Sequence, residues 1–137
     1  MPTLVDTNVL LDVFSVGSAW EQWSMMRLFQ ARETGPVLVN QLILAEMAAG
    51  FERETDLDAA LPASRFIREE LPWDAAFLAG RAFAMYKQAG GLKRSPLPDF
   101  YIGAHALARG HALLTRDASR YRTYFPTIDI VAPDTHP

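Results

Sequence analysis

The chain has 137 residues, half of them hydrophobic and one fifth charged, with a net charge of −3; it has the size of one domain and the composition of a folded globule. No apolar run approaches the roughly 20 residues of a membrane span, and the first residues lack the basic flank and apolar stretch of a secretory leader. There is no cysteine, which excludes disulfides, thiolate zinc sites and cysteine nucleophiles and fits a cytoplasmic protein. The acidic balance offers no global basic surface for nucleic acid, but if four of the 16 acids were gathered around cations, the rest would nearly balance the 13 bases.

In chain order, Thr3 to Val5 reads as a short strand. Ser18 to Glu33 reads as a helix, with Trp20, Trp23, Met26 (or Met25) and Phe29 or Gln30 at three-to-four spacing, ended by Gly35-Pro36. Val37 to Val39 is a second strand. Asn40 then caps a helix from Gln41 to about Arg53. A helix from about Leu57 to Glu70 would be broken early by Pro62. Asp74 caps another, with Phe77, Leu78, Phe83 or Ala82, and Met85 facing inward, stopped by Gly90-Gly91. "LKRSPLP" is a loop. Pro98 suits the first turn of a helix running to Arg109 and closed by Gly110. Ala112 to Thr115 and Ile128 to Ala132 are short strand-type runs. Short apolar strands alternating with helices predict a parallel sheet covered on both faces, in an α/β domain spanning 1–137. In such sheets ligands bind outside the carboxyl ends of the strands.

Four acids fall where their neighbours predict burial or half-burial. Asp6 directly follows the first strand in "LVDTNVLLD". Asp117 follows a later strand in "LLTRD". Asp99 opens the apolar helix "PDFYIGAHALA". Glu46 lies in "LILAEMAAGF", where helical spacing puts Leu42, Ile43, Ala49 and Gly50 on its face. Singly, Asp99 also suits a helix N-terminus, Asp117 a turn with Ala118 and Ser119, and Asp6 a cap. Glu46, in mid-helix, can cap nothing. Four carboxylates at one edge repel one another and stay ionised only beside cations. Oxygen-only ligands select Mg²⁺ or Mn²⁺, which lower the pKa of a bound water and neutralise a phosphodiester.

The stretches "LVDTNVLLD", "ILAEM", "PDFYIGAHA" and "LLTRD" resemble the four acidic motifs of the PIN domain, in the order and spacing of the VapC-type toxins of bacterial toxin–antitoxin pairs. The resemblance covers Thr3 to about Val131; residues 61–73 do not align. It implies a PIN-like α/β fold, a small parallel sheet of about four to five strands flanked by helices. It implies a Mg²⁺-dependent (or Mn²⁺-dependent) endoribonuclease that hydrolyses RNA phosphodiesters. Asp6, Glu46, Asp99 and Asp117 match the acidic, metal-holding positions, and Asn8 and Thr115 the polar positions that orient an acid or a water. It further implies a cognate antitoxin and a homodimer.

Other residues are assigned elsewhere. Asp12 is expected in a salt bridge. His105 does not share the face of Asp99, six residues before it. His111 reads as surface and His136 as tail, so the three histidines form no metal triad. Trp20, Trp23, Met25 and Met26 exceed one helix face, so some are exposed or covered by a partner. Lys93, Arg94 and Arg116 flank the third and fourth acids and are either loop solubility or RNA phosphate contacts. Two other functions are compatible with an α/β chain: a phosphotransfer enzyme on a doubly wound sheet, and a non-catalytic module holding a structural ion. Against the first, no Gly-rich phosphate loop is present and the position two after Asp6 is Asn8.

Overall fold

In the computed structural model, which describes residues 1–137, five strands pair in parallel in the order β3-β2-β1-β4-β5. They are β1 (Thr3–Val5), β2 (Val37–Val39), β3 (Ile67–Arg68), β4 (Ala112–Leu114) and β5 (Ile130–Val131). Every residue of β1, β2 and β4 is buried, as strands covered on both faces must be. Seven helices complete the fold: α1 (Thr7–Val13), α2 (Glu21–Thr34), α3 (Gln41–Ala48), α4 (Glu54–Ala60), α5 (Trp73–Gln88), α6 (Pro98–Arg109) and α7 (Ser119–Tyr124). No helix is long and apolar enough to cross a membrane.

The strand order positions the site. The chain steps from β1 through β2 to the β3 edge, then crosses to β4 and steps outward to β5. Right-handed crossovers therefore put α1 to α4 on one face and α5 to α7 on the other. The packing agrees: α1 lies on α2 and α3, while α6 lies on α5 and α7. The order reverses between β1 and β4, so a crevice opens at their carboxyl ends.

Several elements differ from the sequence reading. The run after β1 forms α1, capped by Asp6, whose side chain accepts from the Thr7 N–H. α3 stops at Ala48 rather than near Arg53, because Ala49 and Gly50 close it with turn-type bonds and a separate helix starts at Glu54. In place of a helix to Glu70, α4 ends at Ala60, just before Pro62, and β3 follows. α5 starts at Trp73, so Asp74 sits in its first turn and does not cap it. Phe77 and Met85 point to solvent, not inward, whereas Ala75, Ala79 and Ala82 are buried. Helices approach closely along small residues, and bulk alone misplaced that face. On α2, Met25, Met26 and Phe29 are exposed, as an oversupply of large residues requires.

Gly103 makes a test of the packing. A Cβ there would sit 2.4 Å from the ring of Phe125, which is itself buried. Alanine is the better helix former by about 1 kcal/mol, yet overpacking costs about 1–3 kcal/mol. Gly103→Ala should therefore lower the denaturation midpoint; a raised midpoint would mean that the α6–α7 contact yields.

Candidate active site

Asp6 is the centre of the crevice. Its N–H still bonds to the Leu114 carbonyl at 2.9 Å, so the β1–β4 ladder fixes its backbone. Its Oδ1 accepts from the Thr7 N–H at 2.8 Å. Its Oδ2 accepts from the Thr115 hydroxyl at 2.9 Å and the Tyr121 hydroxyl at 2.9 Å. The residue is 6% exposed and faces no cation. Burial pushes its pKa up to about 6; the Asp99 charge adds to the rise, and the hydrogen bonds from Thr115, Tyr121 and Thr7 oppose it.

Each of the other three acids connects to Asp6 through one residue. Thr7 donates its hydroxyl to Glu46 Oε1 at 2.8 Å. Tyr121 lies between Asp6 and Asp99, with its hydroxyl 3.3 Å from Asp99 Oδ1. Thr115 accepts from the Asp117 N–H at 3.2 Å. Asn8 sets the direction of this network. Its Oδ1 accepts from the Arg116 N–H at 3.1 Å, so its amide nitrogen faces Thr115 and donates to that hydroxyl at 3.3 Å. Thr115, with two donors aimed at its oxygen, sends its single proton to Asp6. Asn8 and Thr115 thus both bond within the group of side chains around Asp6.

The environments of two of the acids differ from the sequence reading. Glu46 is exposed, not set in an apolar stripe. α3 buries Ile43 and Met47, one turn apart, and Glu46 lies about 100° from Met47 on that helix. Asp117 is exposed and starts a turn, accepting from the Ser119 hydroxyl at 3.1 Å. Asp99 is half-buried, and Arg120 Nη1 stands 3.3 Å from its Oδ2. No three of the four acids bring carboxylate oxygens within 4.8 Å of one another. The donor set fits a hydrated Mg²⁺ or Mn²⁺: it is all oxygen, it holds a buried anion with no protein cation, and such ions reach their outer ligands through water.

The basic residues separate. Arg116 is held by Asp12, Nε to Oδ2 at 2.8 Å, which is the salt bridge expected of Asp12. Lys93 and Arg94 are exposed on their loop. The cation at the site is Arg120, which the sequence did not single out. A cavity of about 290 Å³ beside Asp99 and Asp117 is lined by Arg120, Ser119, Thr123, Tyr86 and Tyr124. Tyr121 was missed as well.

A second cluster corrects the reading of His111 as surface and of the histidines as scattered. His105 and His111 are buried, and the Nε2 of each faces the same Glu69 Oε1, at 2.8 and 2.6 Å. Ligand atoms of all three lie within 4.8 Å of one another, but the protons oppose a metal there. Asn40 Oδ1 accepts from the Ile43 N–H at 3.0 Å, so its amide nitrogen faces His105 Nδ1, which must accept. The proton of His105 is then on Nε2, pointing at Glu69, where a metal would need a lone pair. Burial holds His105 below its ordinary pKa, in keeping with a neutral ring. Although burial raises Glu69, the hydrogen bonds from both histidines hold it below the usual carboxylate value. The cluster is a hydrogen-bonded clasp joining α6 and the start of β4 to the residue after β3. Glu69→Ala leaves two buried N–H groups unpaired, at about 1–3 kcal/mol each. A loss of about 2–4 kcal/mol in chemical denaturation is expected, recovered in part by Glu69→Gln; an unchanged midpoint would contradict the clasp.

A family model described as PIN domain matches residues 3–126. VapBC2 from Rickettsia felis, solved bound to a DNA fragment from its promoter, has a similar structure, with a TM-score of 0.74, 17% identity, and coverage of 96% of this chain and 98% of that one. A toxin–antitoxin complex from Klebsiella pneumoniae has a TM-score of 0.60 and 27% identity, over 96% of this chain and 97% of that one. VapC20 of Mycobacterium tuberculosis, described as a sarcin-ricin loop cleaving toxin, has a TM-score of 0.58 and 18% identity, over 88% and 94%. No curated protein matches by sequence.

Proposed function

Because this chain belongs to the PIN domain family, we propose that it is a Mg²⁺-dependent endoribonuclease of the VapC type, the toxin of a type II toxin–antitoxin pair acting in the cytoplasm. The observation that carries this reading is Asp6: a buried carboxylate without a cation, at the switch point of a parallel sheet, linked through single residues to Glu46, Asp99 and Asp117. Asp6 with Asp99, Glu46 and Asp117 would hold Mg²⁺, or Mn²⁺ in its place. A bound ion of this kind supplies a water of lowered pKa and neutralises phosphodiester charge.

The chain's own groups do the remainder. Thr115 and Tyr121 fix Asp6 Oδ2, so that Asp6 meets the ion in one orientation. Asn8 fixes Thr115 and, through the Arg116 N–H, the loop that leads to Asp117. The substrate reading is RNA, supported by the VapC20 toxin, whose described target is the sarcin-ricin loop. An antitoxin partner is supported by the structural likeness to complexes of toxin with antitoxin. The exposed Met25, Met26 and Phe29 of α2, and Trp73 and Phe77 of α5, are surfaces that an antitoxin and a second copy of the chain would cover.

The experiment is incubation of purified protein with structured RNA. Cleavage in Mg²⁺, stopped by chelator, is expected. Asp6→Asn should lower the rate about a thousandfold, the several kcal/mol of transition-state stabilisation that a metal contributes. Cleavage that persists in chelator, or an Asp6→Asn variant as active as wild type, would defeat the reading.

A further inference from the structure

The cavity beside Asp99 and Asp117 holds one cation, Arg120, and that residue has an acid for a partner. The pair is loose. Arg120 reaches Asp99 through Nη1 alone, at 3.3 Å, and the two side chains are 42% and 36% exposed. Exposed pairs of this kind hold a few-fold at most and exchange partners readily. The guanidinium lies over the Phe100 ring, 6.0 Å from its centroid. Phe100 is fully buried and packs edge-on against Tyr124 at 5.2 Å and Tyr86 at 5.6 Å. The arginine therefore lies against an aromatic cluster whose Tyr86 and Tyr124 bound the cavity. Asp99 and Asp117 line the cavity as well, and the rest of its wall is neutral, with the Ser119 and Thr123 hydroxyls turned to Asp117 and to the Ser119 carbonyl.

We propose that Arg120 serves two anions in turn: it pairs with Asp99 in the metal-free protein and moves to a phosphate of the bound RNA once a metal takes Asp99. The proposal rests on the ribonuclease reading above. When Asp99 coordinates a cation, its attraction for Arg120 is cancelled and the planar fork is freed. Arginine then offers paired N–H donors that match a phosphate, in a cavity with no competing base. RNA and Arg120 arrive on the same side of the acids, so the residue that shields Asp99 without metal becomes the contact that registers the substrate.

The test compares wild type, Arg120→Ala and Arg120→Lys, with Arg122→Ala as control. Arg122 is on the same helix with the same charge, paired with Asp134 away from the cavity. The first measurement is the Mn²⁺ dissociation constant without RNA, by electron paramagnetic resonance. Arg120→Ala should bind Mn²⁺ about two- to fivefold more tightly, because its competitor for Asp99 is gone. The second is binding of a fluorescent RNA hairpin in Mn²⁺ at rising KCl, read by stopped-flow anisotropy before cleavage. Arg120→Ala should bind about tenfold more weakly, with a salt slope shallower by about 0.7–0.9, the loss of one phosphate contact. Arg120→Lys should keep the slope and lose part of the affinity, and Arg122→Ala should change neither constant. Mn²⁺ affinity that is equal or weaker in Arg120→Ala, or an unchanged salt slope, overturns the proposal alone. A wild type that binds no Mn²⁺ overturns the ribonuclease reading and the proposal with it.

Discussion

Asp12→Ala should cost about 3 kcal/mol of stability while sparing the chemistry of RNA cleavage. Asp12 is six residues beyond Asp6, on α1, and its carboxylate is buried. Its Oδ2 accepts from the hydroxyl of Ser24, which is fully buried, and from Arg116 Nε, both at 2.8 Å. Removing it leaves the Ser24 hydroxyl unpaired and the Arg116 guanidinium without its anion. Breaking a fully buried pair costs about 3–5 kcal/mol, and the one-third exposure of Arg116 puts this pair at the lower end. Arg116→Ala leaves Asp12 buried and unpaired and should cost a similar amount. The double variant should lose less than the sum, because the two share one interaction. Denaturant midpoints of the four proteins decide this. Additive losses, or a midpoint shift in Asp12→Ala of under about 0.5 kcal/mol, would show that α1 and the residue after Thr115 are not tied in this way.

The second large effect is the pH dependence of the metal-free protein. Asp6 has a folded pKa of about 6, against about 4 in an unfolded chain. Between those values the folded state binds more protons than the unfolded state. The stability that Asp6 contributes is therefore complete below about pH 4, falls as pH rises through the window, and is lost above about pH 6. The difference is about 3 kcal/mol, the equivalent of some two pKa units. His105 acts with the opposite sign, because its folded pKa is depressed and stability rises as it loses its proton. Comparison with Asp6→Asn cancels that contribution. In chelator at pH 7.5 the variant should melt above wild type, and the gap should close toward pH 4. Mg²⁺ at a hundredfold excess over its dissociation constant should stabilise wild type by about 2.7 kcal/mol and leave the variant unmoved. A variant less stable than wild type in chelator at pH 7.5 would mean that the charged carboxylate is satisfied by the protein alone.

β1, β2, β4 and the place of Asp6 at the sheet edge were legible for one physical reason, whereas β3, two exposed residues, was read as part of a helix. Strands buried on both faces read as short unbroken apolar runs, and an acid directly after such a run lies at the sheet's carboxyl edge, as Asp6 does. α6 was legible at both ends, from Pro98 in its first turn to Gly110, which takes the left-handed conformation (φ 66°) that closes the helix. The environment of Glu46 was misread, since a one-position error in a 3.6-residue period turns a side chain by about 100°. Tyr121 gave no local signal. α7 is six residues with no apolar period, and the bond that makes Tyr121 part of the site spans 115 positions. His111 was hidden similarly, its partner Glu69 being 42 residues away. Spacing reports which face a residue shares with its neighbours, and it is silent about a polar partner supplied from across the fold.

The most direct test of the central claim, that Asp6 anchors one divalent-metal centre, is anomalous diffraction from crystals soaked in Mn²⁺. An anomalous peak is expected within coordinating distance of Asp6, with Asp99 or Asp117 as a further ligand or one water away, lost in Asp6→Asn crystals. None is expected at Glu69, His105 and His111. A peak at the histidine clasp and none at Asp6 would contradict that claim.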